Sequence, residues 1–254
     1  LPLVGRAIRG PVHATTVAVD RAVDQAWPEL APGPVASDPL PSPGEPALAK
    51  KLGAAQPSER PFGLSMGHAQ TLLCVAGVAC CVAMAMPQVH IVAYCSDLGY
   101  GVARGAEMLS LMLACGIVSR LVSGVICDHI GGLRTLVLGS VLQGLALLLF
   151  LPFDGLASLY VVSALFGLFQ GGIVPSYAII VREHFPPAEA GARVGTVLMA
   201  TLFGMALGGW LSGKVFDISG SYHAAFLNGI AWNLLNFGIV LVLWMRVRRG
   251  LLRA

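Results

Sequence analysis

The sequence predicts an all-α polytopic membrane protein of six transmembrane helices, and three observations carry that prediction. Of its 254 residues 56% are hydrophobic and only 11% are charged, against about 25% charged in soluble chains. The apolar residues gather into stretches close to the ~20 residues that a helix needs to cross ~30 Å of hydrocarbon. Runs such as 145–151 are continuous, not alternating, which excludes the period-two pattern of a β-barrel.

The stretches give spans at 70–94, 104–127, 133–152, 157–181, 193–214 and 223–245. Ahead of them, residues 1–66 read as a Pro/Ala-rich segment, a cytoplasmic linker or central loop. Proline is too dense at 27–46 for helix or strand. Residues 12–27 have only loosely amphipathic spacing, so a disordered segment is favoured there over a short helix. The bundle is expected to run from 67 to 248, followed by a basic tail at 249–254. The chain opens with Leu1, not Met, which suggests a fragment, a processed product or an incomplete chain.

Charge sorts by membrane side. Lys50, Lys51 and Arg60 precede the first span, and Arg134 lies between the second and third. Arg182 and Arg193 border the loop between the fourth and fifth, and Arg246, Arg248, Arg249 and Arg253 follow the sixth. The alternate loops offer Arg104 and Lys214. The positive-inside rule therefore puts both termini in the cytoplasm, and a bacterial inner (plasma) membrane is the expected location. This distribution argues against a nucleic-acid patch.

The six cysteines, at 74, 80, 81, 95, 115 and 127, form no CxxC and no zinc spacing, and are read as small packing residues. No metal site and no cofactor is implied. The sequence holds no HExxH, no GxSxG and no intramembrane carboxylate pair suited to acid–base work, so an enzyme is not expected.

An internal repeat runs through the spans. Residues 123–131 and 212–220 both read S-G-x-x-x-D-x-x-G, at an offset of about 89 residues. Gly124, Asp128 and Gly131 thus have counterparts in Gly213, Asp217 and Gly220. Three spans separate the copies, and three is odd, so one copy ends inside and the other outside. That predicts a three-plus-three inverted repeat, a building unit of secondary transporters.

Arg120 is the only Lys or Arg in 108–127. At about 1.5 Å per residue it lies roughly 12 Å inside the boundary marked by Asp128, where a charge costs several kcal/mol unless partnered. Either it faces a polar cavity and binds a carboxylate bidentately, or it is tied to backbone carbonyls or to an acid outside this half. His90, after Pro87, either lines the pathway, binding substrate or carrying a proton, or is a packed neutral histidine. Gln170 and Asn233 are further cavity candidates among the intramembrane amides, which include Gln143, Asn228 and Asn236. The acids Glu107, Asp97, Asp154 and Asp217 lie near the outer ends, so proton coupling would need His90, Glu107, the substrate or residues elsewhere. Gly204-x-x-x-Gly208 and Gly209-x-x-x-Gly213 are expected to serve close helix packing.

The loop Gly124-x-x-x-Asp128-x-x-Gly131-Gly132-x-Arg134 resembles the signature loop of the major facilitator superfamily. Other segments resemble its monocarboxylate and oxalate/formate-type branch: Pro87-x-x-His90, Asp97-Leu98-Gly99, Arg120 four residues before Gly124, Arg182-Glu183-x-Phe185, and Phe216-Asp217-x-x-Gly220-Ser221-Tyr222. The resemblance covers roughly 62–248 and matches the carboxy-terminal six helices of a twelve-helix transporter. His129 and Gly132 depart from it, standing where the family prefers basic residues, so the charge network of the loop is expected to be weaker or dependent on pH through His129. The resemblance implies alternating-access transport of a small organic anion, with Arg120 at the substrate site and the loop latching one state. Asp128 is expected to meet a facing helix N-terminus, that of the fifth span, or Arg134. The implied partners are the substrate, protons, and an amino-terminal six-helix half or a second copy, because the site of this fold lies between two halves. The alternative is an inactive fragment or a membrane interaction module.

Overall fold

The computed structural model describes residues 61–251, all of them helix or connecting turn. The segments 12–27 and 27–46, with the rest of the first sixty residues and 252–254, lie outside the described residues. Seven helices make the bundle: α1 (Met66–Asp97), α2 (Val102–Ile130), α3 (Gly132–Leu149), α4 (Leu156–Gln170), α5 (Ile173–His184), α6 (Pro187–Ser219) and α7 (Tyr222–Leu251). A short 3-10 turn, Pro61–Gly63, precedes them. Helices α4 and α5 together form one span, so six segments are long and apolar enough to cross a membrane. The chain is an integral membrane protein.

Local chemistry sets the helix ends beyond the apolar stretches. Ser65 caps α1 by accepting the His68 N–H at 3.4 Å, so the helix starts four residues before the hydropathic span. Pro187 opens α6, where its missing N–H is harmless, and Glu189 in that first turn pairs with Arg193 at 2.6 Å. The third span stops at Leu149 instead of 152, because Pro152 disfavours helical backbone at Leu151. The fourth span is interrupted at Gly171–Gly172, a break that hydropathy does not register.

Packing follows the repeat. The first span packs on the fifth and the second on the fourth; the first also packs on the sixth, as the third does on the fourth. Exchanging the first three spans for the last three maps these pairs onto one another, and the third–sixth contact onto itself. The repeat motif behaves alike in both copies. Gly131 (φ +84°) ends α2 with its N–H on Cys127 O at 2.8 Å. Gly220 (φ +64°) ends α6 with its N–H on Phe216 O at 2.7 Å. Positive φ is the conformation that favours glycine there.

Glycine also sets the closest helix approaches. A Cβ on Gly204 or Gly208 of α6 would lie 2.6 Å from backbone atoms of Val78 or Val82 on α1. On α4, a Cβ at Gly167 would lie 2.2 Å from Met112 O of α2. Two apolar clusters fill the interior. One, around Leu136, Tyr177 and Leu243, lies towards the α2–α3 turn; the other, around Met108, Phe150 and Phe226, lies towards the opposite end. Helices α2 and α6 leave wide faces uncovered, including Ile117, Leu121 and Val125 on α2 and Met199, Phe203 and Trp210 on α6.

Candidate functional site

Arg120 lines a cavity of about 190 Å³ between α1, α2 and the α4–α5 break. Gln88 reaches it from α1 and Gln170 from the end of α4, while Met84, Met112 and Ile117 supply apolar wall. The glycines of the break make this meeting possible. A Cβ on Gly171 would lie 2.4 Å from Gly116 O, and one on Gly172 would lie 2.1 Å from Ser123 Cβ. The break therefore rests on the α2 backbone within one turn of Arg120 on either side.

The electrostatics of the cavity are unbalanced. Arg120 is exposed, and no carboxylate pairs with it among the described residues; its guanidinium makes no hydrogen bond there, while its backbone carbonyl accepts from Ser123 Oγ at 3.1 Å. Gln170 is 3% exposed, and its Oε1 has no partner. Buried polar atoms are nearly always satisfied, so the orphan Oε1 marks a place for a donor group of a polar guest, whereas a carboxylate would be met by the guanidinium and by the amide Nε2. Arginine offers a planar fork of donors to a carboxylate, and an amide can donate or accept beside it.

Two of the four substrate candidates lie elsewhere. His90 hydrogen-bonds through Nε2 to Gly209 O at 3.0 Å, across the α1–α6 contact, and it does not line the Arg120 cavity. Asn233 is 2% exposed and donates to Gln143 Oε1 at 3.0 Å. Gln143 in turn donates to Cys80 O at 3.3 Å, so Asn233 belongs to a closed network between α1, α3 and α7. Gln88, which does reach the cavity, carries only a weak sequence signal: an amide directly after Pro87 in an apolar run.

At the signature loop, Asp128 meets neither a helix N-terminus nor Arg134. It is exposed and makes no side-chain hydrogen bond among the described residues. The carboxylate that caps a helix here is Glu183, at the end of α5, which takes the Gly132 N–H at the start of α3. A Cβ on Gly132 would lie 2.9 Å from Ile180 Cγ1, so close packing explains the glycine at a position where the family prefers a basic residue. Gly124 has no atom within 4 Å of a Cβ, and its face is open in this chain. A Cβ on its repeat counterpart Gly213 would lie 3.6 Å from Cε1 of the His90 ring; Asp217, like Asp128, is exposed. Arg134 is exposed on the rim of a second cavity, described below.

Six spans in two inverted sets of three, with a charged cavity part-way along the second, define a half of a membrane transporter fold. The family model of the major facilitator superfamily matches residues 71–253, and the chain belongs to that superfamily. That superfamily is a family of transporters, not of enzymes. Similar proteins include two named monocarboxylate transporter 13. The one from Rattus norvegicus is 31% identical over 62% of this chain and 37% of its own length. The one from Bos taurus is 29% identical over 62% and 38%. An MFS-type transporter, opdF, from Penicillium oxalicum is 27% identical over 66% and 40%. The chain thus spans about two fifths of the length of these relatives.

Proposed function

We propose that this chain is the six-helix half bearing the anion-binding arginine of a secondary transporter for small, monocarboxylate-like organic anions. It works by alternating access with a second six-helix half, an amino-terminal one or a second copy of itself. One observation carries the reading: the Arg120 guanidinium opens on a cavity with Gln88 and Gln170 and has no carboxylate partner among the described residues. The names of the mammalian relatives favour the same substrate class. The uncovered apolar faces of α2 and α6 are where the second half would seat. The charge distribution supports cytoplasmic termini. With relatives from two mammals and a mould, the membrane proposed is a plasma membrane without a bacterial assignment.

The experiment is uptake of labelled monocarboxylate into proteoliposomes holding this chain with and without an added amino-terminal half, each with Arg120 and with Arg120→Leu. Uptake is expected only in the two-half system and is lost in the variant, which still inserts. Uptake at the parental rate by Arg120→Leu would remove Arg120 from the site. No uptake in any arrangement would favour the second reading, a membrane module without transport of its own.

A further inference from the structure

At the end of the bundle that carries the α2–α3 turn lies a wider, half-open cavity of about 610 Å³. The first turn of α3 contributes Arg134, the end of α5 contributes Glu183 and His184, and α7 contributes Trp244 and Arg248. None of these residues belongs to the Arg120 cavity.

The groups around it are arranged for an anion. Glu183 keeps its negative charge on this wall but is held to one side by the Gly132 N–H, which both oxygens accept at 3.1 and 3.3 Å, so the two arginines outnumber it. His184 Nδ1 hydrogen-bonds to Ile180 O at 3.1 Å and lies 3.9 Å from Glu183 Oε2. Arg134 and Arg248 have no carboxylate partner among the described residues. Arg248 lies over the Trp244 ring instead, at 5.8 Å from its centroid, which orients it without neutralising it. The cavity sits where α7 passes from buried Val240 and Leu243 to its terminal arginines. That is the level of lipid headgroups, the level at which tryptophan concentrates.

We propose that this cavity is a phosphate-recognition site occupied by the headgroup of an anionic phospholipid of the adjoining leaflet. Paired guanidinium forks match phosphate oxygens, and basic pockets between transmembrane helices are suited to such headgroups. Because a free phosphate offers the same chemistry, the test separates the two sources.

Purified, delipidated full chain in detergent is titrated with dioctanoyl phosphatidic acid, with inorganic phosphate and with dioctanoylglycerol, following thermal unfolding. Phosphatidic acid is expected to raise the midpoint saturably, while dioctanoylglycerol, with tails and no phosphate, does not. R134Q/R248Q should weaken the apparent affinity roughly 25-fold, about fivefold for each arginine. R134K/R248K, which keeps the charges without the planar forks, should fall between the parent and R134Q/R248Q, and R246Q, off the cavity, should keep the full response. Protection by inorganic phosphate with the same dependence on the two arginines would support the site with a soluble source. No protection by either phosphate, protection that survives in R134Q/R248Q, or equal protection by dioctanoylglycerol would overturn the proposal.

Discussion

Glu183 caps a helix to which it does not belong. Both of its carboxylate oxygens accept the Gly132 N–H, at 3.1 and 3.3 Å, across 51 positions of sequence. The contact places a negative charge at the positive end of the α3 dipole and fastens the α2–α3 turn to the end of the fourth span. One inverted repeat is thereby tied to the other at this end of the bundle.

Glu183→Ala should therefore destabilise the folded chain by about 1 kcal/mol, as the loss of a helix N-cap does. Glu183→Gln keeps an acceptor and should lose less. Thermal unfolding of the purified chain in detergent measures both. An Ala variant as stable as the parent would mean that the carboxylate holds nothing together.

Gly208 and Gly195 share α6 but predict opposite outcomes. A Cβ at Gly208 would meet Val82 Cα at 2.6 Å and Ala85 Cβ at 2.8 Å, atoms that cannot rotate away. Gly208→Ala should cost about 1–3 kcal/mol through overpacking. At Gly195 a Cβ meets nothing within 4 Å, so Gly195→Ala should be neutral, or stabilise by roughly 0.5–1 kcal/mol through helix propensity. Unfolding midpoints that shift in the same direction in both variants would contradict this account of the α1–α6 contact.

The spans were legible in the sequence because each apolar stretch matches a bilayer crossing, and the repeat because its motif closes equivalent helices. Helix ends were less so. Ser65 and Pro187 act by capping, outside the apolar stretch, and the Gly171–Gly172 break leaves hydropathy unchanged. Arg120 stood out as a lone charge in an apolar run, and the structure brings Gln170 to the same cavity. Asn233 was chosen for polarity and depth, and His90 also for its place after Pro87 in a family-like segment, and none of these tells which face of its helix a residue occupies. Glu183 was read as part of a motif, not as a cap, since its partner is a backbone N–H far along the chain.

Tyr177 and Asn236 form the centre of a buried polar relay. The Tyr177 hydroxyl donates to Asn236 Oδ1 at 2.8 Å, and Asn236 Nδ2 donates to Ser140 Oγ at 2.8 Å. A double-mutant cycle with Tyr177→Phe and Asn236→Ala should give a coupling of about 0.6 kcal/mol, with about 1.7 as the upper end seen for interhelical bonds in membranes. Denaturation of the four chains in mixed micelles supplies the numbers. A coupling indistinguishable from zero would mean that the hydroxyl finds another partner.

Gln170 separates stability from binding. Its amide is 3% exposed and its Oε1 is unpartnered in the cavity that Arg120 lines, so the fold gains nothing from that polar atom. Gln170→Leu should leave the thermal stability of the chain unchanged or raise it, whereas a structural amide would lower it on removal. In a two-half transporter the same change should raise the KM for a monocarboxylate roughly tenfold, the worth of one hydrogen bond to a charged group. The maximal rate should move less, because the proposed pairing of Arg120 with the carboxylate is left in place. Kinetics of uptake read against the unfolding midpoint decide the matter: a loss of stability with an unaltered KM would return Gln170 to the packing of the helix break.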